Sequence, residues 1–261
     1  MTPLVRPIAF YLPQYHQIPE NNKWWGQGFT EWTNVRKAEP RFPGHYQPHV
    51  PSQLGHYDLT SADTRKAQAD LAREYGIHGF CYYHYWFNGK RLLEAPFNDV
   101  LKSGEPDFPF CICWANENWT RRWDGQDREV LMRQNYNHED DLDLIKSLFP
   151  TFEDKRYIRV NGKPLFIVYR THLFPDPKRT AEIWREAMHE AGMGEIYLAR
   201  VENHHIAAEP NPADIGFDAA IEFAPYWESI GDNIRKDIAV YDDYVGSNPQ
   251  IYDYDQCMMN M

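Results

Sequence analysis

The sequence predicts an α/β fold built on a parallel sheet, a (β/α) barrel ahead of a doubly wound sheet, on three observations. Short apolar runs alternate with amphipathic helical stretches along the chain. Two of those runs, GFCYYHYWF (79–87) and FPFCICWAN (108–116), are apolar at nearly every position and flanked by Gly or Pro, the pattern of strands covered on both faces. A chain of 261 residues with 43% hydrophobic content can bury one large core.

Taken in order, RPIAFYLP (6–13) reads as the first strand, and a long stretch rich in Gly, Pro, Trp and His follows it to Tyr57. LTSADTRKAQADLAREYGI (59–77) predicts a helix: Thr60 or Ser61 caps it, Ala67, Leu71 and Tyr75 share a face, and Gly76 ends it. The strands at 79–87 and 108–116 enclose a short helix around Phe97 to Leu101. HEDDLDLIKSLF (138–149) is helical, its acidic start favoured by the helix dipole. KPLFIVYR (163–170) is a strand, TAEIWREAMHEAG (180–192) a helix, EIYLARVEN (195–203) a strand and DAAIEFAPYW (218–227) another. That makes six strands, with no tandem repeat and no low-complexity segment.

In such folds the chemistry sits at the C-terminal ends of the strands. The residues that follow the apolar runs are polar: Gln14 to His16, Asn88, Asn116 to Arg122, Arg170 and His172, Glu202 to His205, and Glu222 to Glu228. The segment CWANENWTRRWDG (113–125) concentrates indoles, guanidinium groups, amides and a glutamate at one strand end. These groups grip and cleave sugars, and glycosidic-bond chemistry usually needs two carboxyl groups across the scissile bond. Glu117, Glu202, Glu222 and Glu228 are the candidates, Glu117 first and Glu222 second as catalytic groups. Trp114, Trp119 and Trp123 offer stacking faces, and Tyr11, Tyr83, Tyr85, Trp86, Tyr169 and Tyr226 are further expected substrate contacts. The expected hydrogen-bonding groups are Gln14, Asn116, Asn118, Arg121, Arg122 and Glu202. A buried Arg–Glu ion pair packed by tryptophan accounts for the same cluster equally well.

Composition narrows the partners. A formal charge of −11 argues against nucleic acid, and aromatic residues at 15% exceed what a core needs. Cys81, Cys111, Cys113 and Cys257 are too few for a disulfide framework and read as reduced thiols. No Cys or His at ligand spacing completes a zinc site, and no glycine-rich phosphate loop is present, so no metal and no nucleotide cofactor is expected. The N-terminus lacks an apolar signal region and no window approaches 18 apolar residues, so the expectation is a cytoplasmic protein without a membrane span.

Four motifs carry a family resemblance: IAFYLPQYHQIPENNKWWGQGFTEWTNVRKAEPRFPGHYQPHVPSQLGHYDL, GIHGFCYYHYWFNGKRLLEAP, PFCICWANENWTRRWDG and RYIRVNGKPLFIVYR. Together they resemble the WbsX family, which is similar to the glycoside hydrolase family 99 endo-mannosidases, from about Ile8 to Tyr254. The resemblance implies a (β/α)8 TIM-like barrel acting on glycans, in a family associated with polysaccharide, O-antigen and lipopolysaccharide biosynthesis and labelled glycosyltransferase or hydrolase-like. In the family 99 hydrolases a His-Ile-Glu-Pro-Tyr-like strand end supplies one catalytic glutamate and a second lies three residues on. Glu117 matches the first, proposed there to deprotonate a sugar 2-hydroxyl; the position of the second is Thr120, which departs from the pattern.

A second departure lies at the end of the chain. The family's WDNT-like and AWNEW-like segments do not follow IYDYDQCMMNM, so the expectation is a single domain over 1–261 truncated after about six βα units. Either the product is truncated, or a partner or missing segment completes the barrel. The expected function is a carbohydrate-active enzyme acting on glycosidic bonds of polysaccharide glycans by acid/base carboxylate chemistry. The alternatives are a glycosyltransferase for cell-surface polysaccharide and a non-catalytic remnant.

Overall fold

A computed structural model describes residues 5–121, 126–202, 211–224, 230–234 and 250–260. Six strands run parallel: β1 (Ile8–Tyr11), β2 (Gly79–Phe87), β4 (Phe110–Trp114), β8 (Lys163–Val168), β9 (Tyr197–Glu202) and β10 (Ala219–Glu222), each paired with the next in that order. Short antiparallel strands flank them: β3 (Lys90–Leu92) on β2 and β7 (Arg159–Val160) on β8. Among the described residues the parallel strands curl through 216° into an open part-barrel of six strands, the number read from the sequence, where the family resemblance implies eight. A separate hairpin pairs β5 (Trp119–Arg121) with β6 (Gln126–Met132).

Helices fill the crossovers. After β1 come α1 (Pro19–Trp25), α2 (Glu31–Lys37) and α3 (Ala62–Glu74); α4 (Ala95–Ser103) joins β2 to β4. The helices α5 (His138–Ser147) and α6 (Phe149–Glu153) precede β8, α7 (Pro177–Glu190) links β8 to β9, and α8 (Tyr254–Asn260) lies last. Local chemistry sets their starts. The side chains of Ser61, Asn137 and Asp176 accept hydrogen bonds from the backbone N–H groups of Thr64, Asp140 and Arg179, which caps α3, α5 and α7.

Register divides the side chains into two shells, because successive residues of a strand point to opposite faces. Tyr83, Cys113, Ile167, Ala199 and Ala219 are aligned across five strands, and Phe10, Cys81 and Cys111 form the layer beside them. This is the inner face: the Phe10 ring stacks on Tyr83 at 5.3 Å and meets Phe223 at 6.1 Å, so the first and last strands approach each other through it. Cys81, Cys111 and Cys113 are buried free thiols there, as the sequence suggests, and Cys257 is partly buried.

The outer face aligns Tyr11, Tyr82, Ile112, Phe166 and Leu198, and then His84, Trp114, Val168, Arg200 and Ala220. Here the helices pack. Trp184 of α7 is fully buried against Phe166 at 5.2 Å and donates its indole N–H to the Asp141 carbonyl of α5 at 2.9 Å. β2 and β4 are buried along almost their whole lengths, which is why both read as continuous apolar runs.

The close approach of β2 to β4 begins at Gly79. A Cβ there would lie 2.6 Å from the Pro109 carbonyl oxygen and 2.9 Å from Ile158 Cδ1. That carbonyl accepts the Phe80 N–H, so it cannot retreat without loss of the first bond between the two strands. Gly79→Ala is therefore expected to lower stability by about 1–3 kcal/mol; urea unfolding measures it, and an unchanged midpoint would contradict the packing described.

Candidate functional site

A cavity of about 230 Å³ opens above the C-terminal ends of β2 and β4. The segment after β1, including α1 and α2, forms one wall, and the β5–β6 hairpin with the loop before it forms the other. Five residues singled out in the sequence meet in it: Gln14, Tyr85, Glu117, Asn118 and Trp119. Thr120, at the position three after Glu117, also lines it.

Glu117 is placed by its neighbour. Asn116 is fully buried; its Oδ1 accepts the Arg170 N–H at 2.8 Å and its Nδ2 donates to the Arg170 carbonyl at 2.9 Å, a two-way clip between the ends of β4 and β8. The Tyr136 hydroxyl donates to the Asn116 carbonyl and closes the clip from a third side. Arg170, so fixed, donates from Nε to Glu117 Oε1 at 2.8 Å and lies 4.8 Å from the centre of the Tyr169 ring. Asn118 Oδ1 accepts the Gln134 N–H at 2.6 Å and so ties the base of the hairpin.

Trp119 packs edge-on against Tyr85 at 5.0 Å and Trp24 at 5.9 Å while staying partly exposed to the cavity. Gln14 donates from Nε2 to the Tyr85 hydroxyl at 2.9 Å, and its Oε1 has no hydrogen-bond partner within the protein. Arg121 stands on the rim, paired with Glu129 at 2.8 Å and lying over the Trp25 ring.

The alternation of the strands sends other expected residues elsewhere. Tyr83 and Tyr169 lie on the inner face, their rings 6.0 Å apart. Tyr11, Trp86 and Trp114 face the helices: Tyr11 donates to Gln68, Trp86 donates its indole N–H to Asp140 at 2.8 Å, and Trp114 is fully buried against Phe174 and Trp184. All three are buried and none lines this cavity, though Tyr11 borders a separate one on the helix side of the sheet. Glu202 pairs with Arg200 at 2.6 Å on the outer face, and Glu222 is exposed on the side of β10 opposite Phe223, so neither joins Glu117 in the cavity. Arg122, Trp123, His204, His205, Tyr226 and Glu228 lie outside the described residues.

Four residues that line the cavity, Asn21, Trp25, Glu31 and Leu131, have no counterpart among the sequence candidates, and Glu31 is the one carboxylate among them. Glu31, the first residue of α2, lines the cavity opposite Glu117. Its backbone is set by a tight local network: Asn22 Oδ1 accepts the N–H groups of Gly28 and Phe29 at 2.9 and 3.1 Å, and Thr33 Oγ1 accepts the Thr30 N–H at 3.3 Å. Trp32, next along, donates its indole N–H to the Tyr57 carbonyl at 2.7 Å and so turns away from the cavity. Burial alone pushes the Glu31 carboxyl up to about 7. The Tyr85 phenol is raised by burial first and then by Glu31, Cys113 and Glu117, which places it near both glutamates. The signal for Glu31 was an isolated carboxylate among the rings of KWWGQGFTEW.

Among the described residues no cluster of three metal-binding side chains occurs, and no helix is long and apolar enough to cross a membrane.

Comparison with known proteins follows the same lines. The profile of the family described as glycosyltransferase WbsX matches residues 7–261. The WxcX proteins of two Xanthomonas campestris pv. campestris strains, B100 and ATCC 33913, themselves uncharacterized, are 50% identical over 218 residues. The match covers 84% of this chain and 31% of each relative, so the chain spans about a third of their length. The GH99 endo-alpha-mannosidase of Bacteroides thetaiotaomicron, solved with bis-tris-propane, shares the fold with a TM-score of 0.51 at 12% identity, over 84% of this chain and 59% of that one.

Asn116 offers the sharpest test of this geometry. Asn116→Ala removes both halves of the clip, leaving the buried Arg170 N–H unpaired and its carbonyl with the Leu173 N–H alone, at an expected cost of about 1–3 kcal/mol. Chemical denaturation reads the loss; a cost below about 0.5 kcal/mol would show that the strand ends hold without it.

Proposed function

The chain belongs to the WbsX glycosyltransferase family, and from that premise we propose that it acts, as a single domain, on glycosidic bonds of polysaccharide glycans, with Glu117 as a catalytic carboxylate. The observation that carries this reading is the cavity itself. It sits where parallel strands end, its walls combine indole and phenol rings with amides, and the ion-paired Glu117 opens into it with 44% of its side chain exposed. Rings supply stacking faces for the apolar side of a sugar, while Gln14 and Asn118 supply hydrogen bonds to hydroxyls. Arg170 holds the Glu117 carboxylate in one orientation, as a group that must meet a reacting atom requires.

The family description favours transfer as a second reading. The same carboxylate then takes its proton from an acceptor sugar hydroxyl in place of water. Glycoside hydrolysis and transfer from an activated sugar donor, assayed side by side, separate the two.

Glu117→Gln is expected to reduce turnover by about 10²–10⁴-fold while leaving glycan binding within a few-fold, because a general acid or base contributes that much to rate. Unchanged turnover removes Glu117 from the chemistry. Trp119→Ala is expected to weaken glycan binding more than it slows the chemical step, read as KM against kcat; an effect on kcat alone contradicts a stacking role.

A further inference from the structure

Glu31 has no structural task that accounts for it. Among the described residues no arginine, lysine or histidine pairs with its carboxyl, and no hydrogen bond uses it to cap α2. A partly buried acid without a partner costs stability, and such groups gather where chemistry needs them. It stands in the same cavity as Glu117, on the opposite wall, and Glu117 differs from it in having Arg170 at 2.8 Å. Two carboxyl groups in one cavity, one matched by a cation and one not, form the unequal pair that divides acid from base.

We propose that Glu31 is the proton donor of this site, working across the cavity from Glu117. The inference rests on the carbohydrate reading above. The Glu31 carboxylic acid passes its proton to the glycosidic oxygen as the bond from that oxygen to the anomeric carbon breaks. The oxygen keeps the electron pair and leaves as a hydroxyl. The incoming water or sugar hydroxyl forms the new bond to the anomeric carbon and gives its proton to the Glu117 carboxylate. A proton then returns to Glu31 from solvent and one leaves Glu117, which restores the site.

The groups that bear on the protonation of Glu31 are on the page. Tyr15, from the segment after β1, feels its charge; Tyr85 of β2 feels both glutamates; Glu117 follows β4. Neither phenol carries a charge at neutral pH, the nearby cations Arg170 and Arg121 are engaged by Glu117 and Glu129, and burial is what raises the Glu31 carboxyl. With its carboxyl raised from 4.5 to about 7, the folded state binds the Glu31 proton more tightly than the unfolded chain, so the contribution of Glu31 to stability is fully present below pH 4.5 and is lost as the pH rises through about 7.

The experiment uses the 261-residue chain with phenyl and 2,4-dinitrophenyl α- and β-glycosides of common hexoses as probes. Glu31→Gln is expected to lose about 10²–10⁴-fold in kcat/KM on the phenyl glycosides, whose leaving group needs a proton, and less than about tenfold on the dinitrophenyl ones, whose leaving group does not. The basic limb of the pH–rate profile near 7 disappears with it. Glu31→Asp keeps the acid and is expected to retain that limb. Thermal unfolding gives a readout without turnover: the melting temperature of Glu31→Gln minus that of the wild type should rise by several degrees between pH 4.5 and 8. Equal losses on both leaving groups, or a difference in melting temperature that does not move with pH, overturns the assignment of Glu31 while leaving the carbohydrate reading intact. A wild-type chain that turns over none of the glycosides overturns the hydrolytic reading and the inference together.

Discussion

The Asn116 side chain sits where two strands stop and two excursions begin, and the position of the whole cavity follows from how it is bonded. An amide is suited to the task because one group offers both an acceptor and a donor, and here they meet the N–H and the carbonyl of a single residue, Arg170. The exchange extends the β4–β8 pairing beyond the last ladder partners, Trp114 and Val168, by means of a side chain. Inside a fully buried setting each of these bonds is costly to leave unmade. Glu117, next to Asn116, and Arg170, whose backbone the clip holds, therefore inherit fixed origins, and their 2.8 Å pairing needs little further ordering.

That clip works because the sheet beneath it cannot slide. A register slip of one residue would exchange the inner layer of Tyr83, Cys113 and Ile167 for the outer layer of His84, Trp114 and Val168. The two layers are not equivalent. The outer one carries indoles that reach into the helices, Trp86 to Asp140 on α5 and Trp114 against Trp184 on α7, whereas the inner one carries thiols and phenols of smaller girth. Helix packing outside thus enforces strand register inside, and strand register sets where Tyr85 and Glu117 emerge.

The scaffold was legible because it obeys simple periodicities. The six parallel strands coincide with six apolar runs, and β2 occupies the predicted 79–87. The same alternation, applied to side chains, already separates Tyr83 and Tyr85 from Trp86, and Glu222 from Phe223; choosing rings by position near a strand end, without regard to face, is what put Tyr11, Trp86 and Trp114 among expected sugar contacts. The α1–α2 excursion and the β5–β6 hairpin were harder. Both helices are seven residues long, too short to show a clear apolar stripe, and the first is organised by Asn22 capturing two backbone N–H groups across Gly28. The irregular pairing of the hairpin, with register shifts on either side of Thr120, erases the period-two signal there.

The two walls of the cavity are joined differently from the floor. Beneath them, hydrogen bonds to backbone fix atoms to within tenths of an ångström; across them, the excursion after β1 meets the hairpin mainly through rings, Trp24 on Trp119 and the Arg121 guanidinium over Trp25 at 5.4 Å. Such contacts contribute about 0.5–1.5 kcal/mol apiece and tolerate tilt. Glu117 is consequently the anchored carboxyl, and Glu31 rides on a wall whose separation from it is set by soft contacts. On the proposed carbohydrate reading, a glycan between them would share the rings that join the walls, so its binding and the alignment of the two carboxyl groups are coupled.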